Sequence, residues 1–161
     1  HDIDIMRWIT GSEVKEVYAV SRNGLLSADD YLTANLKFEN GVDAVLQISW
    51  CNPPLSGTAR EAVFEVWGNK GYLELEDFAM NIKVFNENQR VSVYDTYEDF
   101  DINGIHRGMF ENLIDNFIRK VQNEDVSTHS LKDSLESIRI CEMISRSIKT
   151  KQVVTSGVDA S

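Results

Sequence analysis

Tyr31-Leu32-Thr33-Ala34-Asn35-Leu36-Lys37-Phe38-Glu39-Asn40-Gly41-Val42-Asp43-Ala44-Val45-Leu46-Gln47-Ile48-Ser49-Trp50 carries the plainest structural instruction in the chain. Leu32, Ala34, Leu36 and Phe38 fall on one side of an extended backbone, and Thr33, Asn35, Lys37 and Glu39 on the other. A period of two with one apolar face is the pattern of a half-buried strand. Val42, Ala44, Leu46, Ile48 and Trp50 continue the apolar face on the way back. Between the two runs stands Asn40-Gly41, the pair best suited to positive φ at both centre positions of a type I′ turn. The stretch therefore predicts an antiparallel hairpin whose apolar face something else in the chain must cover.

Working outward, Glu13 to Arg22 holds Val14, Val17, Tyr18 and Val20, a β-rich run with imperfect alternation, read as a strand. An Asn23-Gly24 turn and a polar loop through Asp30 join it to the hairpin. Downstream, Asn52 to Thr58 with Pro53-Pro54 breaks the sheet pattern, because proline cannot donate to a ladder. Strands resume at Ala62 to Trp67 and Tyr72 to Glu76, around a Gly68-Asn69-Lys70-Gly71 turn. These glycines lead into a strand rather than a helix, so they do not form a phosphate loop. Asn81 to Asn86 and Arg90 to Asp95 predict a further hairpin around Glu87-Asn88-Gln89.

Glu98-Asp99-Phe100-Asp101 lacks the glycine and terminal glutamate of a calcium loop and reads as a solvated connection. From Ile105 the period becomes helical. Met109, Phe110, Leu113, Ile114, Phe117, Ile118 and Val121 form a stripe expected to lie on a sheet. His106 would start that helix in a surface or capping role, with a pocket role as the alternative. Ser130 with Asp133 resembles a capping box. A second helix follows through Lys149, with Leu131, Leu135, Ile138, Cys141 and Ile148 on its apolar face and Ile144 alongside. Val153-Val154 suits a short edge strand, and residues 156–161 a disordered tail.

Strands in the middle and helices at both ends predict an α+β fold: a mostly antiparallel open sheet with helices packed on one face. The other face, with Val45, Cys51 and Trp67 on it, is only partly polar and is available for subunit contact. The length fits one domain, residues 1–155. A net charge of −10 argues against a nucleic-acid partner, which selects a basic surface. Cys51 and Cys141 lack metal-ligand spacing. They fit two buried or half-buried thiols in a reducing compartment better than the alternative of a disulfide, so a cytoplasmic location is expected. No apolar run is long enough to span a bilayer as a helix, so no membrane partner is expected, and neither is a metal site.

The chain opens with His1-Asp2-Ile3-Asp4-Ile5-Met6-Arg7-Trp8-Ile9-Thr10-Gly11. In a helix, His1, Asp4, Ile5 and Trp8 share a face, and Gly11 falls where a left-handed residue ends the helix. His-x-x-Asp-x-x-x-Trp-x-x-Gly resembles a segment in the second domain of the glucose–fructose oxidoreductase / inositol dehydrogenase family. Phe38-Glu39-Asn40-Gly41-Val42-Asp43-Ala44 is similar to that family's Phe-x-Asn-Gly-x-x-Ala hairpin. Glu65 to Leu75 looks like its Gly-x-x-Gly strand pair, and Leu131 to Val154 like its closing helix and strand.

The resemblance implies a C-terminal domain that binds substrate and forms oligomers in an NAD- or NADP-dependent oxidoreductase acting on a sugar or polyol C–OH. His1 is then the catalytic residue that moves the hydroxyl proton. Asp4 orients that imidazole or ties the helix to its neighbour, the structural role being favoured, and Trp8 belongs to the core. The family's cofactor domain, its Glu-Lys-Pro segment, an Asp one turn before the His and the first strands of the second domain would all precede this chain. No cofactor-binding residue is therefore expected here, and the chain alone should be inactive. A non-catalytic sensor or scaffold relative, and an unrelated α+β interaction domain, are the alternatives.

Overall fold

The computed structural model describes residues 1–24, 29–51, 62–76, 81–88, 90–94, 100–126 and 128–157. In chain order the elements are α1 (Asp2–Thr10), β1 (Val14–Arg22), β2 (Tyr31–Phe38), β3 (Asp43–Ser49), β4 (Val63–Gly68), β5 (Gly71–Glu76), β6 (Asn81–Asn86), β7 (Arg90–Tyr94), β8 (Phe100–Ile102), β9 (Ile105–Arg107), α2 (Met109–Val121), α3 (Leu131–Thr150) and β10 (Val154–Thr155). All strand pairs are antiparallel and the sheets are open, so the fold is α+β. The chain forms two compact units, one from His1–Pro53 with His129–Ser161 and the other from Pro54–Thr128.

The first unit carries a sheet in the order β10-β1-β2-β3. Register places Ala34 opposite Ala19 and Leu46, and Leu36 opposite Val17 and Ala44. This is the apolar face expected from the alternation: Val17, Ala19, Ala34, Leu36, Phe38 and Leu46 are buried, whereas Val42, Ile48 and Trp50 on the edge-strand side are exposed. α3 lies against β1 and β10, while α1 packs on α3. A register shift between Val14 and Glu16 explains the imperfect alternation of β1. The extra residue lets Val14 and Val17, three apart, both point into the core.

The hairpin turn differs from the expected type I′. Gly41 donates to the carbonyl of Phe38 (3.0 Å), and Phe38 donates to the carbonyl of Val42 (2.8 Å). Only Gly41 has positive φ (+89°). The loop thus has three residues, Glu39 to Gly41, with Gly41 in the bulge position. Asn40 is used otherwise: its Nδ2 donates to Thr10 O (3.1 Å) and its backbone N–H to Ser12 Oγ (3.2 Å). The turn tip is thereby tied to the end of α1.

α3 starts at the expected capping box, where Ser130 Oγ accepts from Asp133 N–H and Asp133 Oδ2 accepts from Ser130 N–H, each at 3.2 Å. Its buried face is the predicted one only in part, with Ile144 buried and Ile148 half-buried. Leu131, Leu135, Ile138 and Cys141 are exposed, and Ile140, Met143, Ile144 and Ser147 face the sheet. The helix carries two apolar stripes, and a polar contact decides between them. Ser147 Oγ accepts from Ala19 N–H (2.9 Å) and donates to Gln152 O (2.7 Å). β10 pairs with β1 only at Glu16 and Val17, so without Ser147 the buried Ala19 donor would lie beyond the reach of that ladder. Ser156 N–H donates to Lys15 O (2.8 Å), and the rest of the expected tail, 158–161, lies outside the described residues.

The second unit is a meander, β4-β5-β6-β7. Phe64, Val66, Leu73, Leu75 and Val84 share one face; Glu65, Trp67, Tyr72, Glu74, Lys83, Phe85 and Arg90 share the other. Residues 103–104 hold the type I′ turn that was expected at 40–41. Ile102 pairs with Ile105 across Asn103 (φ +56°) and Gly104 (φ +78°). Phe100 and Asp101 are therefore strand rather than solvated connection, and α2 begins at Met109, not Ile105. The strand was missed because three residues on each side are too few to show a period. His106 lies in β9 rather than at a helix start, and its side chain is outside the described set.

α2 meets β9, and its stripe of Phe110, Leu113, Ile114, Phe117, Ile118 and Val121 is exposed instead of lying on a sheet. The proline break at 52–58, the Glu98-Asp99 pair, Asp95 and Gln89 lie outside the described residues.

Candidate site at the first helix

His1 is the N-cap residue of α1, with its side chain exposed and making no capping hydrogen bond. Its carbonyl accepts from Ile5 N–H (3.1 Å). At the other end Gly11 adopts φ +60° and donates to Arg7 O (2.9 Å), as its position predicted. The buried stripe of the helix is Ile3, Met6 and Arg7, with Thr10 half-buried. Trp8 lies off this stripe and is 81% exposed, so the expectation that it belongs to the core is corrected. At about 100° per residue, a stripe centred on Ile3 and Met6 leaves Trp8 facing outward.

Asp4 sits at the edge of the stripe. Its Oδ1 is 3.5 Å from Arg7 Nη1 and its Oδ2 is 3.4 Å from His129 Nδ1. The carboxylate thus engages a neighbour on α1 and the residue just before the α3 cap. His129 Nε2 lies 2.8 Å from Ser134 Oγ. Asp4 and His129 join α1 to the start of α3 through a contact between half-exposed groups.

Arg7 is the centre of the arrangement. Its Nε and Nη2 donate to the two carboxylate oxygens of Glu13 at 2.8 and 2.7 Å, a planar fork. Nη1 donates to the backbone carbonyl of Asp133 (3.2 Å), and Nη2 is 3.5 Å from the Asp133 carboxylate. Hydrogen bonds from Arg7 hold the Glu13 carboxyl below its ordinary range. Asp133 is lowered chiefly by its bond from the Ser130 hydroxyl, with Arg7 adding a smaller electrostatic contribution. A buried guanidinium is tolerable only with such partners.

Sequence reasoning did not find Arg7 or His129. The available signal was a cation on the Ile3–Met6 stripe with Glu13 six residues on, since a charge on a buried stripe demands a counter-charge.

Chemically, imidazole is a side chain able to act as a general acid or base, and the one on His1 is exposed at the head of the helix. Among the described residues, no group of three or more His, Cys, Asp or Glu side chains is placed to hold a metal ion. No described helix is long and apolar enough to cross a membrane. A shallow depression of about 360 Å³ lies along α3, lined by Ile138, Cys141, Glu142, Ser145, Arg146 and Lys149, and does not include His1.

The fold, the αL-ended first helix and the capped last helix define a known class of domain. Residues 1–156 match the model of the oxidoreductase family C-terminal alpha/beta domain, so the chain belongs to the C-terminal domain family of the Gfo/Idh/MocA oxidoreductases. Several solved structures share the fold. An NAD binding oxidoreductase from Klebsiella pneumoniae superposes with a TM-score of 0.79 at 17% identity, covering 99% of this chain and 49% of that one. The WlbA dehydrogenase from Bordetella pertussis, in complex with NADH and UDP-GlcNAcA, gives 0.70 at 19%, covering 99% and 43%. An aldose-aldose oxidoreductase from Caulobacter crescentus, complexed with glycerol, gives 0.74 at 16%, covering 94% and 44%. The chain thus spans less than half the length of these structures. No curated protein matches it.

Proposed function

We propose that this chain is the substrate-binding and subunit-assembly part of an NAD- or NADP-dependent oxidoreductase acting on the C–OH of a sugar or polyol. The observation that carries the proposal is the position of His1: an exposed imidazole, free of any capping bond, at the head of a helix anchored to the rest of its unit. When bound, the nicotinamide supplies the hydride chemistry. His1 takes the hydroxyl proton as the substrate is oxidised and returns it in reduction. Asp4 supports the helix rather than the imidazole, since its carboxylate faces Arg7 and His129.

In this reading the dinucleotide is held outside this chain, which alone should turn nothing over. The sheet face opposite α3, carrying Tyr18, Val20 and Val45 exposed, is the surface for a second subunit. The thiols of Cys51 and Cys141 are free, in keeping with a cytoplasmic setting.

The test is turnover by the full-length protein with NAD+ or NADP+ and D-glucose, myo-inositol or UDP-N-acetylglucosamine, its mass followed by light scattering. His1→Asn should lower kcat by about 10²–10⁴-fold with cofactor binding retained. Full turnover by that variant would overturn the assignment, and a monomer at every dilution would remove the assembly role.

A further inference from the structure

We infer that Arg7 is the positioning residue of this site: it fixes where His1 stands without touching the substrate. The inference rests on the oxidoreductase reading above. His1 has no side-chain restraint of its own in the helix cap, so the placement of α1 decides where the imidazole lies. That helix is nine residues long and seats only two apolar side chains, Ile3 and Met6, in the core. Apolar burial is non-directional, and two such contacts leave a short helix able to roll and tilt.

Arg7 removes that freedom. Its guanidinium is rigid and planar, and it is bonded in two directions. One is the fork to Glu13 just before β1 (2.8 and 2.7 Å); the other is the carbonyl of Asp133 in the first turn of α3 (3.2 Å). Asp4 adds a second point of attachment through His129. His1 stands six residues up the helix from this pin, about 9 Å along the axis. A tilt of about 10° at Arg7 therefore moves the imidazole by roughly 1.5 Å. A displacement of that order costs about 10²-fold in a reaction that depends on near-attack geometry.

The experiment compares Arg7→Met and Glu13→Gln with Val154→Ala in the full-length protein. Val154 is a buried β10 residue whose apolar side chain takes no part in the hydrogen bonds of the cluster, and it serves as the control for lost stability. The first readout is kcat and KM with NAD+ or NADP+ and whichever of D-glucose, myo-inositol and UDP-N-acetylglucosamine is oxidised fastest. The second is the nuclear magnetic resonance signal of the His1 imidazole, which requires no turnover.

Arg7→Met should lower kcat about 10- to 100-fold, with KM changed less than about twofold and the imidazole signal shifted or broadened. Glu13→Gln should do the same to a smaller extent, and it tests the pin even where Arg7→Met does not fold. Val154→Ala should lose stability and keep both kcat and signal. Arg7 and Glu13 variants that lose stability but keep kcat and signal overturn the inference. If His1→Asn is inactive while Arg7→Met is fully active, only the positioning role fails. If His1→Asn itself is fully active, the site assignment fails, and the imidazole signal still decides whether Arg7 holds the helix.

Discussion

The described side chains of the two units are held in different ways. Every buried apolar residue among those described, from Ile3 to Val154, belongs to the first unit. There a sheet face, one long helix and one short helix close around Leu36 and Phe38, and the polar groups inside, Arg7, Asp30 and Ser147, have hydrogen-bond partners. The second unit displays its organisation on a sheet surface. Trp67, Tyr72, Phe85 and Arg90 form a cross-strand row, with ring centroids 5.4 and 5.6 Å apart and the guanidinium 5.1 Å from the last ring. Beside it Glu65, Glu74 and Lys83 form a polar row, joined by the Lys83–Glu74 ion pair and by the Tyr72 hydroxyl shared between both carboxylates. The burial described in the first unit gives large, cooperative terms; the register-matched pairs described on the second sheet give small, separable ones.

Phe38→Ala should have the largest effect, costing about 3–5 kcal/mol in urea unfolding, because it empties a fully enclosed site. A loss below about 1 kcal/mol would show that the first unit has no such tightly packed core. Trp67→Ala should cost roughly 0.5–1.5 kcal/mol, since that ring is 70% exposed and loses mainly its contact with Tyr72. A loss as large as that of Phe38→Ala would erase the contrast between the units.

Tyr72→Phe should change least at neutral pH and reveal itself in alkali. Hydrogen bonding to Glu65, then partial desolvation and the bond to Glu74, push the Tyr72 pKa up from its ordinary value of 10.0. A raised folded-state pKa gives stability that is complete below the ordinary value and lost as pH rises past it. Wild type should therefore lose thermal stability above about pH 10 more steeply than Tyr72→Phe. Parallel curves would mean that the phenol is not held by the two carboxylates.

The legible parts of the sequence were those where one local pattern decides the outcome. Alternation gave the faces of β2 and β3, Gly11 the end of α1, and Ser130 with Asp133 the start of α3. What failed required knowledge of a distant partner. Asn40-Gly41 has the composition of a type I′ turn, yet Asn40 is drawn toward Thr10 and Ser12, and the loop takes another residue. Asn103-Gly104 forms the I′ turn instead, between strands too short to announce themselves. α3 offered two apolar stripes, and the choice was made by a serine bonded to a strand 128 residues away.

The site divides in the same way. His1 and Asp4 are expected from the resemblance, while Arg7 becomes visible only when Glu13 and Asp133 are brought around it, and His129 only when the fold sets it beside Asp4.

That serine has a consequence for biosynthesis. The sheet formed by β1, β2 and β3 leaves the ribosome before the second unit, but α3, which covers its apolar face, comes only after the whole of that unit has been made. Throughout that interval Val17, Ala34 and Leu36 have no helix over them, and the Ala19 amide still awaits its acceptor. Long-range closure of this kind slows folding and exposes apolar surface in the meantime. The nascent chain thus carries an uncovered apolar sheet face for as long as the second unit takes to be translated, and the Ala19 amide finds its acceptor only when Ser147 arrives.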